Sequence, residues 1–108
     1  MGRVKGKVAL VTGGGSGLGA EDCAVLAREG ATVVVTDVAL AAAEAVAGKI
    51  GAGAIAMALD VADEAQWIAT INAIEAKFGR LDILVNNAGV VLSADVEETT
   101  LDQFRWVN

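Results

Sequence analysis

Val8-Ala9-Leu10-Val11-Thr12-Gly13-Gly14-Gly15-Ser16-Gly17-Leu18-Gly19 runs from a short apolar segment into five glycines within seven residues, and then into helix-forming sequence that continues to Glu29. A strand, a glycine turn and a helix in that order aim backbone N–H groups and the positive end of a helix at one point, which suits a diphosphate. Gly13 permits a tight turn, Gly17 lets the backbone approach a phosphate, and Gly19 lets the helix pack closely. Gly15 and Ser16 complete the loop. The stricter G-x-G-x-x-G fingerprint is approached only by Gly15, Gly17 and Ala20. Leu18, Gly19 and Ala20 exclude a triphosphatase loop, which needs Lys and then Ser or Thr after its glycine. The plain alternative is a structural glycine turn.

Asp37 stands eighteen residues past Gly19, at the end of a second apolar run, Thr32 to Thr36. A carboxylate there can accept both hydroxyls of an adenosine ribose. Taken alone, Asp37 could equally be a turn residue or a helix cap. Val38 follows it and carries no charge. A carboxylate without a neighbouring cation repels a 2′-phosphate, so the expected cofactor is NAD(H) in preference to NADP(H).

The remaining chain alternates in the same way. Ala39 to Lys49 is alanine-rich and helical by propensity. Ala54 to Leu59 reads as a weaker strand ending at Asp60, which could be a site residue or only a cap for the next helix. In Ala62 to Phe78 the residues Trp67, Ile71, Ile74 and Phe78 share one helical face. Ile83 to Val85 is a fourth strand running into Asn86-Asn87-Ala88-Gly89. These four residues offer amide donors and acceptors and close backbone approach, or else simply a turn of good turn formers. Thr100 and Gln103 resemble a capping box that opens a last helix.

Four strands alternating with helices predict right-handed crossovers and a parallel sheet; in a dinucleotide-binding arrangement this is a doubly wound α/β sheet of Rossmann type, order 3-2-1-4, incomplete at its C-terminus. Residues 1–108 are expected to form a single domain. In that order, Gly13 to Gly19, Asp37, Asp60 and Asn86 to Gly89 all fall at the carboxyl ends of strands, beside one crevice. Strand four is expected to be an exposed edge, which predicts poor solubility or partial folding.

Composition bounds the function further. The chain has 108 residues, is 55% hydrophobic and carries a formal charge of −6. That balance gives no electrostatic reason to bind nucleic acid or an anionic membrane. Arg3, Lys5 and Lys7 read as a solvated leader. One cysteine, Cys23, excludes an intrachain disulfide and reads as a small buried group. There is no histidine and no metal-ligand spacing, and no apolar run approaches membrane-spanning length. A reducing, cytoplasmic setting is the default.

Together these residues resemble the short-chain dehydrogenase/reductase family. Thr12-Gly13-x-x-x-Gly17-Leu18-Gly19 is similar to its cofactor loop and Asn86-Asn87-Ala88-Gly89 to its fourth-strand motif, with Gly6 to Val11 and Phe78 to Val85 similar to the flanking patterns. The resemblance implies NAD(P)-linked oxidation of an alcohol or reduction of a ketone, in a complete enzyme that is a homo-oligomer. It implies that Asp37 holds the adenosine ribose, and that Asp60 and the Val61 N–H edge the adenine. Asn86 would lie against the ribose, with Ala88 and Gly89 near the cofactor. Ser16 and Leu18 would line the diphosphate and nicotinamide side. Thr12 and Asp82 would tie strand one to strand four. The family's Tyr-x-x-x-Lys pair has no counterpart, because the chain contains no tyrosine, so no catalytic residue is assigned. The expectation is the N-terminal part of an enzyme, inactive alone. The alternatives are a non-catalytic dinucleotide-binding protein and, less favoured, an S-adenosylmethionine-binding fragment.

Overall fold

The computed structural model describes residues 4–51, 53–87 and 105–107. Its elements run β1 (Val8–Thr12), α1 (Gly17–Arg28), β2 (Thr32–Asp37), α2 (Leu40–Ile50), β3 (Ile55–Ala58), α3 (Glu64–Phe78), β4 (Ile83–Asn86) and β5 (Arg105–Val107). The sheet is parallel throughout, in the order β3-β2-β1-β4-β5. The predicted 3-2-1-4 core is therefore present, with one further strand.

The strands are continuous apolar runs because both faces of the sheet are covered. Their side chains alternate between two cores. Val8, Leu10, Val34 and Leu84 pack with Trp67, Ile71 and Ile74 of α3. Ala9, Val11, Val33, Val35, Ile83 and Val85 pack with Cys23 of α1 and with Ala43 and Ala47 of α2. The α1–α2 side is lined by small residues, so these helices lie close to the sheet. Leu18 and Val25 of α1 are exposed. Gly19 and Cys23 form its buried stripe. Burial of Cys23 is complete and pushes its thiol up to about 12, chiefly by desolvation, with the Asp22 carboxylate adding to it.

Helix ends follow local chemistry. The Asp63 carboxylate accepts from the Gln66 N–H at 3.1 Å and caps α3, while Gly79 closes it in the left-handed region at φ 77°. The helix thus begins two residues later than the apolar pattern suggested. Trp67 is fully buried and its Nε1 donates to the Val61 carbonyl at 2.7 Å.

The expected last helix is not formed where the structure describes the chain. Residues 105–107 pair with β4 in parallel, Ile83 with Arg105 and Val85 with Val107. Thr100 and Gln103 lie outside the described residues. The physical reason is the edge of β4, whose N–H and C=O groups need partners. Arg105-Trp106-Val107 includes two residue types that favour strands. Strand four is therefore an interior strand, contrary to the sequence expectation.

Asp82 fastens β4 to β1. Its carboxylate accepts the Val8 N–H at 2.8 Å and a two-pronged contact from Arg80 at 2.7 and 2.8 Å. The Arg80 hydrogen bonds hold the Asp82 carboxyl below its ordinary value, helped by the Val8 N–H and opposed by partial burial. A group so lowered contributes its full stabilisation above the unfolded value, about 4, and loses it as pH falls through the folded value. Acid melts of the wild-type chain should show this decline, and Asp82→Asn should flatten it. Superimposable acid limbs would contradict the assignment.

Candidate functional site

At the carboxyl end of the sheet each strand tip is hydrogen-bonded to the next. Thr12 and Asn86 are register partners. The Thr12 hydroxyl donates to Asn86 Oδ1 at 3.0 Å and accepts the Asn87 N–H at 3.1 Å. Gly14 N–H donates to the Thr36 carbonyl at 2.8 Å, and Gly15 N–H to Asp37 Oδ2 at 3.0 Å. Leu59 N–H then donates to the Asp37 carbonyl at 3.0 Å, which brings Asp60 beside the tip of β2. The row Asn86, Thr12, glycine loop, Asp37, Asp60 crosses three inter-strand gaps of ~4.8 Å, about 14 Å in all.

The glycine loop is built by exclusion. Gly13 and Gly17 have φ of 61° and 57°, a region that side chains avoid. A Cβ on Gly19 would collide with the Gly13 carbonyl, so the constraint comes from the loop's own backbone and not from a strand. A Cβ on Gly15 would come within 2.9 Å of Asp37 Oδ2 and 2.7 Å of Ala42 Cβ. A Cβ on Gly17 would meet nothing within 4 Å, so that part of the loop faces open space.

Ser16 is the N-cap of α1, but its side chain makes no capping hydrogen bond, and the first turn holds no acidic residue. By contrast, α3 is capped by Asp63 and carries Glu64 in its first turn. The first turn of α1 therefore has neither a side-chain cap nor an acidic residue of its own, which leaves its N–H groups for an outside anion. Leu18 in the first turn of α1 is 74% exposed, and Val38 is 72% exposed beside Asp37.

The Asp37 carboxylate already accepts two N–H groups, Gly15 on Oδ2 and Ala39 on Oδ1, the latter also at 3.0 Å. A carboxylate offers about four lone-pair sites, which leaves acceptor capacity for two hydroxyls. Asp60 is exposed, and its Oδ1 accepts from Ala62 N–H at 3.0 Å. It stabilises the loop and does not cap α3. Val61 has its side chain in the core, and its carbonyl is fixed by Trp67. Ala88 and Gly89 lie outside the described residues.

One contact carried no sequence signal: Asn87 Nδ2 donates to Asp22 Oδ2 of α1 at 2.9 Å. The two residues are far apart in the chain, and Asp22 sits in a helix with no motif of its own. A shallow groove lined by Ala24, Ala27, Arg28, Lys49 and Ile50 lies at the C-terminal ends of α1 and α2. These helices run against the strands, so the groove is at the opposite end from the row of tips. Among the described residues no acidic, histidine or cysteine cluster could hold a metal, and no helix is long and apolar enough to cross a membrane.

A parallel sheet in this order, with a glycine turn after its first strand, defines a Rossmann-type fold. The chain belongs to the short chain dehydrogenase family, whose model matches residues 7–107. It is 42% identical over 102 residues to 3-beta-hydroxysteroid dehydrogenase of Comamonas testosteroni, covering 94% of this chain and 40% of that protein. It is 45% identical over 105 residues to D-threitol dehydrogenase of Mycolicibacterium smegmatis, covering 94% and 40%. Among solved structures, 3-ketoacyl-(acyl-carrier-protein) reductase from Brucella melitensis complexed with NADH superposes with a TM-score of 0.73 at 49% identity, covering 76% of this chain and 34% of that one. The chain thus spans about 40% of the length of the curated relatives it matches.

Proposed function

We propose that this chain is the NAD(H)-binding part of an oxidoreductase that interconverts an alcohol and a carbonyl compound. The observation that carries the reading is the Gly15–Asp37 hydrogen bond, which places a carboxylate with spare acceptor capacity against a glycine loop and a helix start without a side-chain cap. The diphosphate would lie over the N–H groups at Gly17 to Gly19, with Ser16 and Leu18 beside it. The adenosine ribose hydroxyls would bond to Asp37, with Val38, Asp60 and Val61 bordering the adenine. Asn86, Ala88 and Gly89 would flank the cofactor on the β4 side. The residues fit such a guest because the loop opens to space at Gly17.

When bound, the nicotinamide ring gives or accepts the hydride. The chain's own contribution is binding and orientation. It has no tyrosine to act as the family's general acid/base, and we expect no turnover from these residues alone. The named activities of the relatives, on a steroid and on threitol, support an alcohol substrate without selecting one. Asp37 favours NAD(H) over NADP(H) by repelling a 2′-phosphate.

Asp37→Ala removes hydrogen bonds to a charged group, worth roughly 1.5–3 kcal/mol. NADH affinity should fall about ten- to a hundredfold by calorimetry. An unchanged affinity would take Asp37 out of the site, and tighter binding of S-adenosylmethionine than of NADH would replace the reading.

A further inference from the structure

We infer that Asp22 is a positioning residue for the dinucleotide site, acting through Asn87. This rests on the function proposed above. Asn87 is held at two points: its backbone N–H donates to Thr12 at the tip of β1, and its side-chain amide donates to Asp22 in the second turn of α1. Thr12 and α1 are the two ends of the glycine loop. Asn87 therefore braces the loop from both sides, and the Asp22–Asn87 bond sets the start of α1 against the end of β4. Both residues are half-buried, where competition from water is reduced.

The sign of the effect separates this role from simple electrostatics. A carboxylate in the second turn of α1 would repel a diphosphate, so loss of its charge alone should tighten binding. Loss of the brace should weaken it. Asp22→Ala is expected to weaken NADH binding about three- to tenfold, the size of one hydrogen bond. Asp22→Asn keeps an acceptor for the Asn87 amide and should bind at least as well as wild type.

A swap of partners provides a second measure if Asp22→Ala is poorly folded. Asn87→Asp sets two carboxylates against each other and should weaken binding. The double variant Asp22→Asn/Asn87→Asp restores the bond with donor and acceptor exchanged, and should recover affinity to within about threefold of wild type. All titrations are made with NADH on the full chain, below each variant's melting temperature. Wild-type affinity in Asp22→Ala, an equal loss in Asp22→Asn, or no recovery in the double variant would overturn the inference alone. Absence of NADH binding by every form, wild type included, would overturn the proposed function with it.

Discussion

Trp67→Ala is expected to cost about 3–5 kcal/mol of stability, enough to remove much of the 5–15 kcal/mol typical of a domain. Trp67 is among the largest fully buried side chains and sits at the centre of the core between α3 and the sheet. Its loss leaves a cavity beneath Leu10, Val34 and Leu84, and it also strips the Val61 carbonyl of its Nε1 donor. Trp67→Phe separates these effects. It retains much of the apolar area and should cost about 1–3 kcal/mol, near the penalty for a buried acceptor left unpaired. Because Trp67 fixes the segment that carries Asp60 and Val61, Trp67→Phe should also weaken NADH binding by a few-fold. Denaturant unfolding checks the stability values. A loss below about 1 kcal/mol in Trp67→Ala would mean that α3 does not dock as described.

Gly19→Ala should cost less stability but more binding, for a different reason. The added methyl would run into the Gly13 carbonyl, a backbone atom that cannot swing aside. Relief requires α1 to move away from the loop, and overpacking of this kind costs about 1–3 kcal/mol. The movement dismantles the region proposed to hold the diphosphate, so NADH affinity should fall at least about tenfold, the equivalent of ~1.4 kcal/mol. Gly48→Ala is the control. Gly48 lies within α2 with nothing within 4 Å of a built Cβ, and the exchange should raise stability by about 1 kcal/mol. Equal effects of the two substitutions on stability would contradict the account of the loop.

The two glycines also show what the sequence could reveal. Strand, glycine turn and helix were legible because each element carries its own signature: β-branched runs, clustered glycines, and a 3.6-residue apolar stripe at Trp67, Ile71 and Ile74. The alternation implied a parallel sheet, the glycine loop suggested the dinucleotide-binding strand order, and the row of strand tips followed from that order. What escaped was set by contacts distant in the chain. In α1 the large Leu18 and Val25 are exposed and the small Gly19 and Cys23 face the sheet, because the helix approaches it closely. Residues 105–107 read as helix, but the unpaired edge of β4 recruits them as a strand. Asp22 has no motif, and its hydrogen bond to Asn87 could be found only in the folded chain. Asp60 was ambiguous as a site residue or a cap, and the cap of α3 proved to be Asp63.

Amide chemical-shift mapping during NADH titration tests most directly whether the four strand tips serve one guest. Shifts are predicted at Gly13 to Gly19, at Asp37 and Val38, at Asp60 and Val61, and at Asn86 and Asn87, all saturating with a single dissociation constant. Shifts confined to one tip, or clustered at the far-end groove of Ala24, Arg28 and Lys49, would contradict the account.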